Sequence, residues 1–215
     1  MTPGNIIFLN GSSSAGKTTL AMMLQQLLPE PYQHIALDQF RDGLPGRYRG
    51  LNSPQGAPGA QGLNVVPVQR EGQLMTEVRF GDHGERVLHG MRRAIAAFAR
   101  VGNHVIIDDL LFKPDYLHDY ATVLDGLDVW MIGVRCSIDV VNARESQRPG
   151  RFPGTATSHY HQVHAHGSEY DLDVDTSYAS PRGCAEQIIE RLKSPPVALR
   201  RVLWREHAGP SPVST

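Results

Sequence analysis

The sequence predicts an α/β fold with a mostly parallel, five-stranded sheet covered by helices on both faces. Two observations carry that expectation. Short, wholly apolar runs recur along the chain, and stretches with the apolar spacing of a helix face separate them. A strand covered on both sides by helices reads as such a run, because neither face meets water.

Ile6-Ile7-Phe8-Leu9 is the first run. After a Gly/Ser-rich turn, Leu20, Met23, Leu24, Leu27 and Leu28 fall on one helix face, and Pro29 and Pro31 stop it. Ile35-Ala36-Leu37 reads as a second strand ending at Asp38. From Gly43 to about Gly72 the chain is rich in Gly, Pro and Gln, with no period of 2 or 3.6. Such a stretch is either a lobe over a ligand site or a mobile insertion. Val78–Phe80 reads as a small extended piece. Val87, Leu88, Met91, Ala94, Ile95 and Phe98 mark an amphipathic helix ended by Gly102. Val105-Ile106-Ile107 is the third strand, Asp115–Leu124 a helix, and Val129–Val134 the fourth strand. Ser137 suits the cap of the next helix, which runs toward Glu145. A His-rich segment, read as helical, starts at Ser158. Leu172–Asp175 is the fifth strand, and Ser180-Pro181 opens a final helix ending near Lys193-Ser194. The division expected is one domain over 1–194 and a C-terminal tail over 195–215. Within that tail, Leu199–Trp204 reads as a docking segment or a subunit contact in a homo-oligomer.

At 215 residues the chain fits a single domain. Its net charge of −1 gives no global field to recruit nucleic acid or an anionic membrane. Two distant cysteines, Cys136 and Cys184, make neither a disulfide framework nor a zinc pattern. The N-terminus lacks the basic start and apolar run of a signal peptide, and no stretch reaches the roughly 18 apolar residues of a membrane span. The expectation is a cytoplasmic protein.

Gly11-Ser12-Ser13-Ser14-Ala15-Gly16-Lys17-Thr18 matches G-x-x-x-x-G-K-[ST] in full, between an apolar strand and an amphipathic helix. The glycines let backbone N–H groups curl round phosphate oxygens, and the helix start adds unpaired donors. Lys17 reaches the β and γ phosphates, and Thr18, followed by Thr19, offers a hydroxyl to Mg²⁺. The implied fold is a P-loop kinase-type three-layer sandwich with a small lid, and the implied cofactors are ATP and Mg²⁺.

Asp108-Asp109 ends the third strand, where a carboxylate for the magnesium site is expected. Asp108 is favoured; the alternatives are Asp109, or a capping role for both. Asp38, at the carboxyl end of a strand, is placed to accept a hydroxyl proton as general base, or else to bond turn amides. Arg144, Arg148 and Arg151 surround a Pro-Gly break and suit a lid over 144–155 that closes on the triphosphate. The alternative is a solvated helix face. Arg135, at a strand end, is a further candidate for phosphate or for pairing with a carboxylate. His159, His161, His164 and His166 have spacing that could supply a metal, with an acceptor wall or a plain surface helix as the other readings.

These residues resemble those of the chloramphenicol 3-O-phosphotransferases. The resemblance runs from Ile6 to about Thr176. It is carried by Leu9–Lys17, the strand ending in Asp38, Val105–Asp109, Gly133–Cys136 with Arg144-Glu145, and Glu169–Thr176. The Gly43–Gly72 stretch and the His-rich segment depart from the family pattern. The resemblance implies ATP-dependent phosphorylation of a primary hydroxyl on an amphenicol-type antibiotic. It matches Asp38 to the catalytic Asp that activates that hydroxyl, and Lys17 and the lid arginines to residues that handle the triphosphate. A kinase for a sugar, nucleoside or other small metabolite, and a regulatory NTPase with no acceptor, are the competing readings.

Overall fold

The computed structural model describes residues 2–70, 72–148, 152, 154–166 and 170–207. In chain order the first elements are β1 (Ile6–Asn10), α1 (Lys17–Leu27), β2 (Tyr32–Ala36) and α2 (Leu37–Asp42). Then come β3 (Arg49–Leu51), α3 (Pro58–Gln61), β4 (Leu63–Arg70), β5 (Gln73–Phe80) and α4 (Asp82–Arg100). The second half holds β6 (His104–Asp109), α5 (Pro114–Val123), β7 (Val129–Arg135), α6 (Ile138–Ser146) and α7 (Thr155–His159). The chain continues through β8 (Leu172–Asp175), α8 (Pro181–Arg191) and α9 (Ala198–His207).

Five strands form one sheet in the order β2-β6-β1-β7-β8, and every adjacent pair is parallel. β1 is central and buried along its whole length. Alternate side chains divide between two cores. Ile6, Phe8, Ile107 and Met131 pack with Leu88 and Ile95 of α4, Tyr120 of α5 and Val202 of α9. Ile7, Leu9, Ile106 and Ile132 pack with Leu20 and Leu24 of α1, Val141 of α6 and Ile188 of α8. The result is the three-layer sandwich expected from the apolar runs. Each such side chain contributes about 1.5–3 kcal/mol on burial, so the sheet is a rigid platform for whatever stands at its carboxyl edge.

Three segments differ from the sequence reading. β2 stops at Ala36, and Leu37 opens α2 instead of ending a strand. The Ala36 amide donates to Gln39 Oε1 at 3.0 Å, which fixes the first turn. Leu37 is buried in the core from that turn, so an apolar residue here says nothing about strand or helix. Asp38 therefore sits on a helix rather than at a strand end.

The Gly43–Gly72 stretch is not one long loop. It contains β3, α3 and β4, and with β5 just beyond it the two strands make a second sheet in the order β3-β4-β5. Asn64 holds it: its side chain accepts from the Ser53 amide at 3.0 Å and donates to the Ser53 carbonyl at 2.9 Å. Pro67 lies past Val65, the last β4 residue paired with β3, where β4 has become an edge and a missing N–H is tolerated.

A helix also follows Pro195-Pro196. α9 buries Ala198, Leu199 and Val202 against the body. Its start is tied by the fully buried Asp171 carboxylate, which accepts from the amides of Met131, Val197 and Ala198 and pairs with Arg191 at 2.9 Å. Those four partners offset the cost of burying the charge. No helix among the described residues is long and apolar enough to cross a membrane.

Candidate active site

The chain leaves β1 at the sheet's carboxyl edge and turns into α1 through Gly11–Gly16. A Cβ at Gly11 would stand 2.5 Å from the Val134 carbonyl oxygen, so only glycine fits against β7. Gly16 has φ 92°, the left-handed conformation in which glycine pays no steric penalty, immediately before helix α1. Ser14 shares that region at φ 62°. The loop is thus curled as an anion-binding backbone turn.

Lys17 is buried, and its ammonium donates to the Gly11 and Ser12 carbonyls at 2.9 and 3.0 Å. It also lies 3.8 Å from Asp108 Oδ1. Thr18 Oγ1 donates to Asp108 Oδ2 at 2.7 Å. His34 of β2, which the sequence did not single out, brings Nε2 within 3.4 Å of the same oxygen. Burial pushes the Asp108 carboxyl up, but His34, Lys17 and Thr18 together outweigh it and hold the group below its ordinary range. Asp109 faces the other way. It is fully buried, accepts from Tyr120 Oη at 2.6 Å and the Leu110 amide at 2.7 Å, and is pushed up to about 6, mainly by burial.

One cavity of about 890 Å³ joins these groups to the rest of the site. Ser13, Ser14, Gly16, Lys17, Thr18, Thr19 and Asp108 line one side. Asp38 and Arg41 line another, with Arg41 Nη1 donating to Asp38 Oδ1 at 2.7 Å. Leu63 and Val65 of β4 with Val78 and Phe80 of β5, joined by Leu37, Leu110 and Phe112, give the cavity an apolar wall. Leu63 pairs with Phe80 and Val65 with Val78 across the hairpin, so all four project from one face. Their alternation with polar neighbours, as in Val78-Arg79-Phe80, was the available signal for this wall.

Arg144 and Arg148 also line the cavity, and Arg151 lies outside the described residues. Arg144 is anchored: Nη2 donates to the Thr176 carbonyl at 2.7 Å and Nη1 to Thr176 Oγ1 at 3.3 Å. Thr176 Oγ1 donates in turn to the Ala15 carbonyl at 2.7 Å, which puts Arg144 against the phosphate loop. Arg135, at the end of β7, pairs with Asp173 at 2.6 Å. Glu145, buried at the end of α6, accepts from the amides of Gly154 and Ala156 at 3.1 and 2.8 Å. It ties the end of α6 to the start of α7.

The histidines divide. His159 is buried on the cavity wall, and its Nε2 accepts from the Ser13 amide at 3.1 Å. His164 and His166 instead contact Tyr170 Oη at 2.8 and 2.9 Å, beside Asn10 at the end of β1. Burial first, then the Arg135 charge, lowers both rings, His164 to about 4. Among the described residues no group of three or more His, Cys, Asp or Glu is arranged to hold a metal ion.

A five-stranded parallel sheet with a full phosphate loop after its central strand, opening on a ligand-sized cavity, defines a phosphotransferase of the P-loop kinase class. Residues 4–193 match the family described as chloramphenicol phosphotransferase-like protein, and the chain belongs to that family. Two relatives, each from a strain of Mycobacterium tuberculosis and each named "Putative O-phosphotransferase", are 33% identical over 196 residues, covering 91% of this chain and 85% of theirs. The fold is similar to that of the Mycobacterium tuberculosis APS kinase CysC in complex with AMPPNP and APS. That match has TM-score 0.62 and 15% identity over 90% of this chain and 100% of that one. A tunicamycin resistance protein of Deinococcus radiodurans matches with TM-score 0.55 and 18% identity over 90% and 99% of the two chains. A gluconokinase from Sinorhizobium meliloti matches with TM-score 0.54 and 17% identity over 93% of each.

Proposed function

We propose that this protein transfers the γ-phosphoryl group of ATP to a hydroxyl of a small molecule with an apolar body, an amphenicol-type antibiotic being the acceptor the site suits best. The observation that carries this reading is the single cavity in which the phosphate loop and Asp38 face an apolar wall. The loop amides and Lys17 hold the triphosphate, with Arg144 and Arg148 adding positive charge from the lid side. The acceptor oxygen attacks the γ-phosphorus, the bond to the β,γ-bridging oxygen breaks, and ADP leaves. Asp38 takes the hydroxyl proton, and Arg41 orients its carboxylate.

Thr18 and Asp108 present an all-oxygen pair 2.7 Å apart, a donor set that suits a hard cation such as Mg²⁺. They are the residues that would hold it, and the ion would neutralise phosphate charge. The apolar wall favours an amphenicol-like acceptor over a sugar, whose hydroxyls would need hydrogen-bonding partners there.

The test is a product screen. Protein, Mg-ATP and a panel of antibiotics and hydroxylated metabolites are incubated, and mass spectrometry reads the gain of one phosphoryl group. Hydrolysis of ATP with no phosphorylated product from any acceptor would refute the transferase reading. In the active reaction, Asp38→Asn should keep ATP affinity while transfer falls about 10²–10⁴-fold. Turnover at the parental rate would remove Asp38 from its role.

A further inference from the structure

Ser13 is the third residue of the phosphate loop, and its amide points into the cavity at an imidazole nitrogen. His159 Nε2 lies 3.1 Å from that amide. This is hydrogen-bond length, the separation at which an amide holds a phosphate oxygen. An imidazole nitrogen that accepts a hydrogen bond carries no hydrogen, so in this arrangement the ring hydrogen lies on Nδ1. His159 thus stands where an anion's oxygen would stand. It does so from a position 146 residues away in the chain, on a helix that belongs to neither β1 nor α1.

The end of the loop it occupies can be identified. Lys17 serves the β and γ phosphates in this motif, and its ammonium rests on the carbonyls of Gly11 and Ser12, directly before Ser13. The Ser13 end is therefore the γ end. On its other side the His159 ring meets Phe112 edge-on, with centroids 5.2 Å apart at 83°. Phe112 is a member of the apolar wall and lies 6.1 Å from Phe80 of the hairpin. His159 is therefore at the junction of the donor and acceptor sides, where the transferred group must pass.

One N–H cannot serve two acceptors in the same place. When a terminal phosphate oxygen takes the Ser13 amide, the lone pair of Nε2 faces an anion, which repels it unless the nitrogen gains a hydrogen. We propose that His159 is a further catalytic residue that contacts the transferred phosphoryl group. It gives up the Ser13 amide when a nucleoside triphosphate binds, takes up a proton from solvent at Nε2, and that Nε2–H then donates to a γ-phosphate oxygen. This inference rests on the phosphotransferase reading above. It distinguishes nucleotides by their terminal group, since a diphosphate has no oxygen at the γ position.

The test uses the full chain with Mg²⁺ and either ADP or the non-hydrolysable triphosphate AMPPNP. Nitrogen NMR of the His159 imidazole should show Nε2 without hydrogen in the free protein, and hydrogen-bearing with AMPPNP but not with ADP. His159→Ala should weaken AMPPNP about 10- to 100-fold, the range of a hydrogen bond to a charged group, and leave ADP within about twofold. His159→Gln, which returns an N–H donor, should recover most of the loss. Equal losses for both nucleotides would mark His159 as merely structural and overturn the proposal, as would an Nε2 that stays hydrogen-free with AMPPNP. If the unaltered protein bound neither nucleotide, the phosphotransferase reading would fall and this one with it. Equal losses on normal nucleotide binding would remove this one alone.

Discussion

The two sides of the cavity are built differently. The phosphate side stands on β1, β6 and α1, where the residues behind it are buried and the strands have partners on both edges. The apolar wall stands on a three-stranded sheet whose β3 is three residues long and whose hairpin extends to the 73% exposed Leu74. The first is a fixed receptor for a group of invariant shape. The second needs only its four root residues, Leu63, Val65, Val78 and Phe80, to face the ligand. On the proposed reading, donor recognition would resist change while acceptor choice would follow a few apolar side chains on the smaller sheet.

That contrast can be broken at several points. On the donor side a large effect is expected at Lys17, whose buried ammonium rests on the carbonyls of the phosphate loop. Lys17→Ala should lower phosphoryl transfer about 10²–10³-fold and weaken ATP binding. Unchanged turnover and affinity, by kinetics and calorimetry, would mean that the loop does not hold the donor. On the apolar wall, Val78→Ala should raise KM for the acceptor found in the product screen about tenfold and leave ATP affinity alone. A shift in both would show that the two sides are not independent.

A third prediction concerns His164, behind the loop. Its ring has a lowered proton affinity when folded, about 4 against an ordinary 6.5, because of burial and the nearby Arg135, His166 and Lys17. Between those values the unfolded chain holds more protons than the folded one, so stability rises with pH there. It should fall by about 2 kcal/mol as pH drops from 7 to 4, after discounting for partial exposure. Urea denaturation at several pH values would measure this, and His164→Asn should flatten that part of the profile. The smallest effect belongs to the hairpin tip. Leu74→Ser should change stability by less than about 0.5 kcal/mol. A loss of several kcal/mol in urea melts would show the hairpin to be part of the main cooperative unit.

The same contrast separates what was legible in the sequence from what was not. Gly11–Thr18 and Asp108 could be read because their geometry is set locally, by a contiguous motif and by the end of an apolar run. Tertiary packing obscured other elements. Leu37 begins a helix whose first apolar residue enters the core, and it extends the apolar run of β2 without a break. β4 carries Pro67 and adjoins glycines, so its alternation was masked. α9 buries Ala198, Leu199 and Val202 among basic residues, and the preceding Pro-Pro read as an end. His34 gave no local sign at all, and His159 stood out only as one of four histidines, with nothing local to separate it from His161, His164 and His166. Each becomes part of the site only when strands or helices distant in sequence are brought together.

Glu145 has a further consequence for turnover. Its carboxylate binds the amides of Gly154 and Ala156, so the stretch bearing Arg148 starts and finishes at nearly one point. A segment pinned at both ends has fewer arrangements to lose when it settles on a ligand than a free arm of the same length. On the proposed reading, closure over the nucleotide would then cost less entropy, and reopening to let ADP depart would be correspondingly less assisted. Loosening that tie would be expected to speed product release at the expense of nucleotide affinity, so one buried carboxylate that never meets the substrate would set the dwell time of the product.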